Sequence, residues 1–131
     1  MLNSLQNPLA LLGRILIAAL FVPAGFRKLA GFSGTMGYIS SKGVPLPGLA
    51  AAIAVAVELG LGVLLLIGFQ TRWAALGIAL FTLFISFIFH AYWIDPSQSM
   101  MFFKNMSIVG GLFAFAAFGG GDWSVDGARR K

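Results

Sequence analysis

Four ionisable side chains stand in or beside long apolar runs, and these are the groups that could do chemistry. Glu58 lies near the middle of the run Leu49 to Phe69, Arg14 inside the run Leu9 to Phe26, His90 in the run Ala74 to Ile94, and Lys104 just before the run Met106 to Phe118. An acidic side chain facing lipid at a helix midpoint costs about 2.5 to 3.5 kcal/mol even on lenient scales. Glu58 therefore needs a partner, a water-filled cavity or a proton. Arg14 is the leading candidate partner, because in an antiparallel hairpin the two Cα atoms differ in depth by roughly 7 Å, which one long side chain spans. Two readings of Glu58 stay open at this point: a structural ion pair, and a proton or ligand site.

Thr82, Ser86 and His90 follow at intervals of four and place a slowly turning polar stripe on one helix. A histidine one turn from a membrane surface is read first as a solvated or hydrogen-bonded group. The alternative is a polar vestibule leading inward to Glu58, with Ser86, His90, Lys104 and Asn105 along it and Arg14 and Glu58 at its base.

Other chemistries are poorly supplied. The chain has no cysteine, which excludes thiolate nucleophiles and iron–sulfur ligation. One histidine and four scattered carboxylates offer no pair at metal-ligand spacing, so no metal site is expected. The net charge of +5 would suggest nucleic acid in a soluble protein. Here the basic residues are scattered over short flanking segments and form no stripe or stacking platform, so they are read as snorkelling to head groups and nucleic acid is excluded as a partner. Arg129, Arg130 and Lys131 fit that reading and are expected to touch only head groups.

The elements that must position these groups are membrane helices. Trp73 and Trp93 bracket a run that as a helix separates them by about 30 Å, the thickness of the hydrocarbon core, with an indole at each boundary. Backbone amides in a bilayer can be satisfied only within the chain, so all four runs are expected to be helical. Hydrophobic residues make up 59% and charged residues 10% of the chain, against roughly a quarter charged in soluble domains. The expected architecture is all-α: an integral membrane four-helix bundle forming one domain over residues 1–131, with helices at about 9–29, 49–69, 73–94 and 105–119. The first run has a basic residue before its apolar core, but Pro23-Ala24-Gly25 makes a poor cleavage site, so it is read as a helix rather than a signal peptide. Basic residues divide five against four between the two sides, which assigns no orientation.

The longest connector has its own pattern. Ser33 is expected to cap a short helix over Gly34 to Lys42, stopped at Gly43 and barred from continuing by Pro45 and Pro47. Phe32, Met36 and Ile39 share a face, so this helix is placed at the membrane surface. It reads first as a connector anchored to lipid and second as a lid, with Lys28, Tyr38 and Pro45 as its candidate site residues. Small residues Ala52, Ala56 and Gly60, and Gly110 with Ala114, are expected to mark close helix contacts.

In order and spacing the chain resembles the DoxX family nearly end to end. The matching fragments are Gly13-Arg14, Gly25 with Lys28-Leu29, Gly31-Phe32, Gly34-Thr35, Tyr38, Gly43-Val44-Pro45-Leu46-Pro47, Glu58, Gly68-Phe69 with Thr71-Arg72, His90 with Trp93, Phe103-Lys104-Asn105 and Ser124-Val125-Asp126. The resemblance implies a four-helix protein of the bacterial cytoplasmic membrane. Members of that family include a membrane subunit of an archaeal thiosulfate:quinone oxidoreductase and membrane anchors of oxidoreductase complexes, but the family carries no agreed catalytic residues onto Arg14, Glu58 or His90. The preferred expectation is a small membrane subunit supporting quinone-linked redox chemistry, with quinone as the candidate ligand. A bundle without cysteine, haem ligands or a flavin motif is not catalytic alone, so an oxidoreductase partner is expected. The alternatives are an oligomeric transporter for a small or lipophilic solute, or a passive scaffold.

Overall fold

A computed structural model of the chain describes residues 2–130. After a 3-10 turn at Leu2–Leu5, α1 runs Gln6–Ala30 and α2 Phe32–Ser41. Helix α3 covers Pro47–Ile67, continuous through a π-helical segment at Ala56–Leu61. Helix α4 covers Thr71–Phe89, α5 Ser99–Phe118 and α6 Val125–Arg129. Helices α1, α3, α4 and α5 are long and apolar enough to cross a membrane, and no strand occurs among the described residues.

Helix ends follow the local chemistry. Pro47 starts α3 at its first turn, where no backbone donor is lost, and Gly68 ends it at φ +76, a conformation that favours glycine. The short helix of the connector begins two residues earlier than expected, directly after Gly31, and the Ser33 side chain does not cap it. Two bounds differ from the sequence reading. Helix α4 stops at Phe89 rather than near residue 94, because Ala91–Asp95 form the turn and Pro96 forces the residue before it out of the helical region. Helix α5 starts at Ser99 rather than near residue 105, since Asn105 finds a partner on α4 and Lys104 lies outside, so both polar residues fit within a helix.

The core lies where α4 and α5 meet the middle of α1 and α3: Phe21, Leu65, Ala75, Ile78, Ala79, Val109 and Leu112 are all buried there. Alanines at 74, 75 and 79 let α4 sit deep in the bundle. The small-residue stripes named from the sequence do not mark contacts within the chain. Ala52, Ala56, Gly60, Gly110 and Ala114 are exposed, and a Cβ on Gly60 or Gly110 would meet nothing within 4 Å. Close approach happens instead at Gly25, where a Cβ would fall 2.5 Å from the Leu59 nitrogen, and at Gly62, where it would fall 3.1 Å from Val22. These two contacts fix the antiparallel register of α1 on α3.

That register predicts a measurable asymmetry between two glycines. Gly25→Ala must push α1 off α3 and is expected to lower stability by about 1–3 kcal/mol, whereas Gly60→Ala leaves it unchanged. Detergent melting of both variants checks this, and a Gly25→Ala protein that melts like the parent would contradict the register.

Candidate functional site

Glu58 sits in the π-helical segment of α3 and is 4% exposed. Its partner is Lys28 from the last turn of α1, whose ammonium lies 2.7 Å from Oε2 and donates to Oε1 at 3.1 Å. The expected Arg14–Glu58 pair does not form. With Gly25 against Leu59 and Gly62 against Val22, Glu58 lies level with Phe26, twelve positions or about 18 Å along α1 from Arg14. The sequence reading took the hairpin as if the connector added no length. Helix α2 lets α3 begin well beyond the end of α1, and the acid slides toward Lys28.

Around this ion pair lies a cavity of about 140 Å³, lined by Lys28, Thr35, Tyr38, Ile39, Ala54, Glu58, Ile85, Phe89 and His90. Apart from Lys28, Glu58 and His90 its walls carry no ionisable group of ordinary acid–base use. Helix α2 covers it: Ile39 is buried, and the Tyr38 ring stacks on Phe89 with centroids 5.6 Å apart. Thr35 bonds back to the carbonyls of Lys28 and Gly31, fastening α2 to the end of α1. The Lys28 side chain is 35% exposed and that of Glu58 6%, so the ammonium reaches toward the surface while the carboxylate stays inside.

His90 terminates α4 with Nδ1 2.8 Å from the Gln98 amide oxygen. An amide oxygen can only accept, so a neutral His90 carries its proton on Nδ1 and leaves Nε2 as an acceptor. Deeper along α4, the Ser86 hydroxyl donates to the Thr82 carbonyl at 2.6 Å and accepts from Asn105 Nδ2 at 3.0 Å, which ties α4 to α5.

Of the residues singled out from sequence, Glu58, His90, Lys28 and Tyr38 share the cavity. Ser86 and Asn105 bind each other and do not line it, Lys104 lies exposed on α5, and Pro45 is exposed in the connector. Lys28 belongs to α1 rather than to the covering segment. Thr35 and Ile39 were missed as lining residues; the three-to-four residue spacing that marks one face of α2 was the available signal for both.

Arg14 works at the opposite end. It is completely buried, and its guanidinium donates to the carbonyls of Gly120, Leu65, Leu66 and Trp123. Gly68 and Gly120 make the space: a Cβ on Gly68 would sit 2.7 Å from Arg14 Nη1, and one on Gly120 would sit 3.0 Å from its Cδ. Beside it, Asp126 caps α4 by accepting from the amides of Gln70 and Thr71, both at 2.8 Å. Burial alone would push that carboxyl up, but the Thr71 and Gln70 amides outweigh it and hold the carboxyl below the usual range.

The tail expectation is corrected here as well. Arg129 lies over the Phe69 ring, Arg130 pairs with Asp122 at 3.1 Å, and α6 returns to the bundle through Asp126, so the tail touches protein as well as head groups. Lys131 lies outside the described residues.

Two outcomes follow from this geometry. In double-mutant cycles read by melting in detergent, Glu58→Gln couples to Lys28→Gln and is additive with Arg14→Gln. Coupling to Arg14 instead would contradict the separation of the two ends. Asp126, with its folded pKa depressed, contributes stability that is full above the unfolded value of about 3.9 and is lost as pH falls through the folded value. The melting gap between parent and Asp126→Asn is therefore constant near neutrality and narrows below about pH 4. A gap that persists into acid would remove the charge from the cap.

The geometry can be set beside known proteins. The DoxX family profile matches residues 9–91. Inner membrane protein YqjF of Escherichia coli strain K12 is 38% identical over 125 residues, covering 95% of each chain. Inner membrane protein YphA of the same organism is 39% identical over 124 residues, covering 90% of this chain and 88% of its own. No solved structure matches. Four spanning helices and two inner-membrane relatives place this as a multi-pass protein of the bacterial inner membrane, and the chain belongs to the DoxX family.

Proposed function

We propose that the cavity beside Glu58 binds the ring of a quinone and that the protein is a membrane subunit for a partner oxidoreductase. The observation that carries this reading is a space of about 140 Å³, chiefly apolar in its walls, with a carboxylate and an imidazole at one site inside the bundle. A cavity of about 150 Å³ accommodates a single six-membered ring. Interconversion of quinone and quinol moves two electrons and two protons. The partner handles the electrons; Glu58 and the Nε2 atom of His90 accept protons from the quinol hydroxyls or return them to the quinone oxygens. Lys28 holds the carboxylate in place beside the cavity, and the π-helical turn that carries it is a distortion often found at functional sites.

A second reading, an oligomeric transporter for a small lipophilic solute, draws on the exposed stripe of Ala52, Ala56 and Gly60, a surface on which another copy could pack closely. One set of measurements separates the two. The protein purified in mild detergent is titrated with a short-chain quinone, and the same preparation is checked for a co-eluting oxidoreductase. Binding that weakens about tenfold in Glu58→Gln and in His90→Gln, as loss of one charge-assisted hydrogen bond entails, supports the first reading. No quinone binding, together with Glu58-dependent solute flux in liposomes by a homo-oligomer, replaces it with the second.

A further inference from the structure

At the end of the bundle that holds both termini, the first turn of α4, the last turn of α5 and the helix α6 enclose an open groove of about 930 Å³. Arg72, Arg129 and Arg130 line it, with Asp126 as the one carboxylate among its lining residues. Asp126 accepts from the Gln70 and Thr71 amides and forms no ion pair with Arg72 or Arg129 among the described residues, so cationic groups outnumber the carboxylate in the groove. Arg72 uses Nε on the Ala116 carbonyl at 2.8 Å and makes no other hydrogen bond among the described residues. Arg129 places its guanidinium carbon 5.3 Å from the Phe69 ring centroid and makes no hydrogen bond or ion pair among the described residues, so its N–H groups are open to a ligand. Two arginines are thus held in place by protein contacts and still present donors to the groove.

The wall toward the membrane is apolar and unusually open. Trp73 is 73% exposed and Phe118 89%. Trp73 is one residue from Arg72, so the cationic donors and an indole suited to the membrane boundary lie at the same depth. A ligand that satisfies both walls carries a phosphate and long acyl chains in one molecule.

We propose that this groove is a binding site for the head group of an anionic phospholipid. The phosphate sits between Arg72 and Arg129, and the acyl chains run down past Trp73, Leu76 and Phe118. Arginine suits the task because its planar fork matches phosphate oxygens. The fixing of both side chains by Ala116 and Phe69 removes much of the ordering cost that a snorkelling lysine would meet. This is a saturable site, distinct from the diffuse attraction of basic residues to a charged leaflet.

The test is native mass spectrometry of the full chain in detergent with equimolar phosphatidylglycerol and phosphatidylcholine. The parent retains phosphatidylglycerol in preference by about tenfold or more. That preference falls about fivefold in Arg72→Gln and again in Arg129→Gln, in line with the contribution of one surface arginine each. Arg27→Gln, at the other end of the bundle, leaves it unchanged. Should Arg72→Gln fail to fold through loss of its Ala116 bond, Arg129→Gln alone decides, since it leaves that bond intact. Equal retention of the two lipids overturns the proposal, as does a preference that survives both groove variants or falls equally in Arg27→Gln. Glycerol phosphate is added as a competitor: displacement of the lipid at equal concentration would show a site for a free phosphate and overturn the assignment to a lipid, while failure to displace supports it.

Discussion

A guanidinium buried inside an apolar bundle has nowhere to find water, and Arg14 answers that constraint with four backbone carbonyls from two parts of the chain. Two belong to the end of α3, where the last carbonyls of a helix have few partners and Leu65 also accepts from the Gly68 amide at 3.2 Å. The other two come from the turn between α5 and α6. One side chain therefore satisfies orphan acceptors that the bilayer would leave unmet, and in doing so gathers α1, α3 and the C-terminal segment at one end. Gly68 and Gly120 are fixed by this choice, since a side chain at either position would collide with the arginine. Asp126 then completes the same end by capping α4.

Once Arg14 is committed there, Glu58 must find its counter-charge elsewhere. Lys28 supplies it from the other end of α1, so the molecule divides its buried charge between two distant sites with different characters. The first is saturated: every hydrogen bond of Arg14 goes to a backbone carbonyl. The second is less closed, with an ammonium that reaches the surface, an adjoining cavity and a histidine with a free acceptor. A purely structural ion pair does not require the space beside it, and the proposed ligand site rests on that difference.

Much of the architecture was legible because a bilayer permits few solutions. Long apolar runs bounded by Trp73, Pro47 and Gly68 had to be helices, and the surface helix of the connector could be read from Phe32, Met36 and Ile39. What failed was whatever depended on register. Arg14 and Glu58 were paired on the assumption of a simple hairpin, but the contact of Gly25 with Leu59 depends on the shape of two helix faces, which no spacing rule contains. The stripe of Ala52, Ala56 and Gly60 misled for the same reason: small residues permit close approach, but the chain uses Gly25, Gly62 and the alanines of α4 instead. The sequence reading took His90 first as a solvated or hydrogen-bonded group and placed Asn105 along a polar vestibule, naming a partner for neither. Gln98 and Ser86 as those partners are tertiary facts, set by a turn at Ala91–Asp95 that the apolar run conceals.

The π-helical turn at Ala56–Leu61 has an implication for how this helix can vary. A single widened turn is what a helix adopts to absorb one surplus residue without disturbing the phase of either flank. Wound as an ordinary helix, the same residues would rotate everything on one side by about 100° relative to the other. Gly62 and Leu65 would then leave the core, or Ala51 and Ala54 would. The widened turn therefore keeps the two halves of α3 in phase, so one residue can be lost here with less disturbance to the core than one lost from either flank.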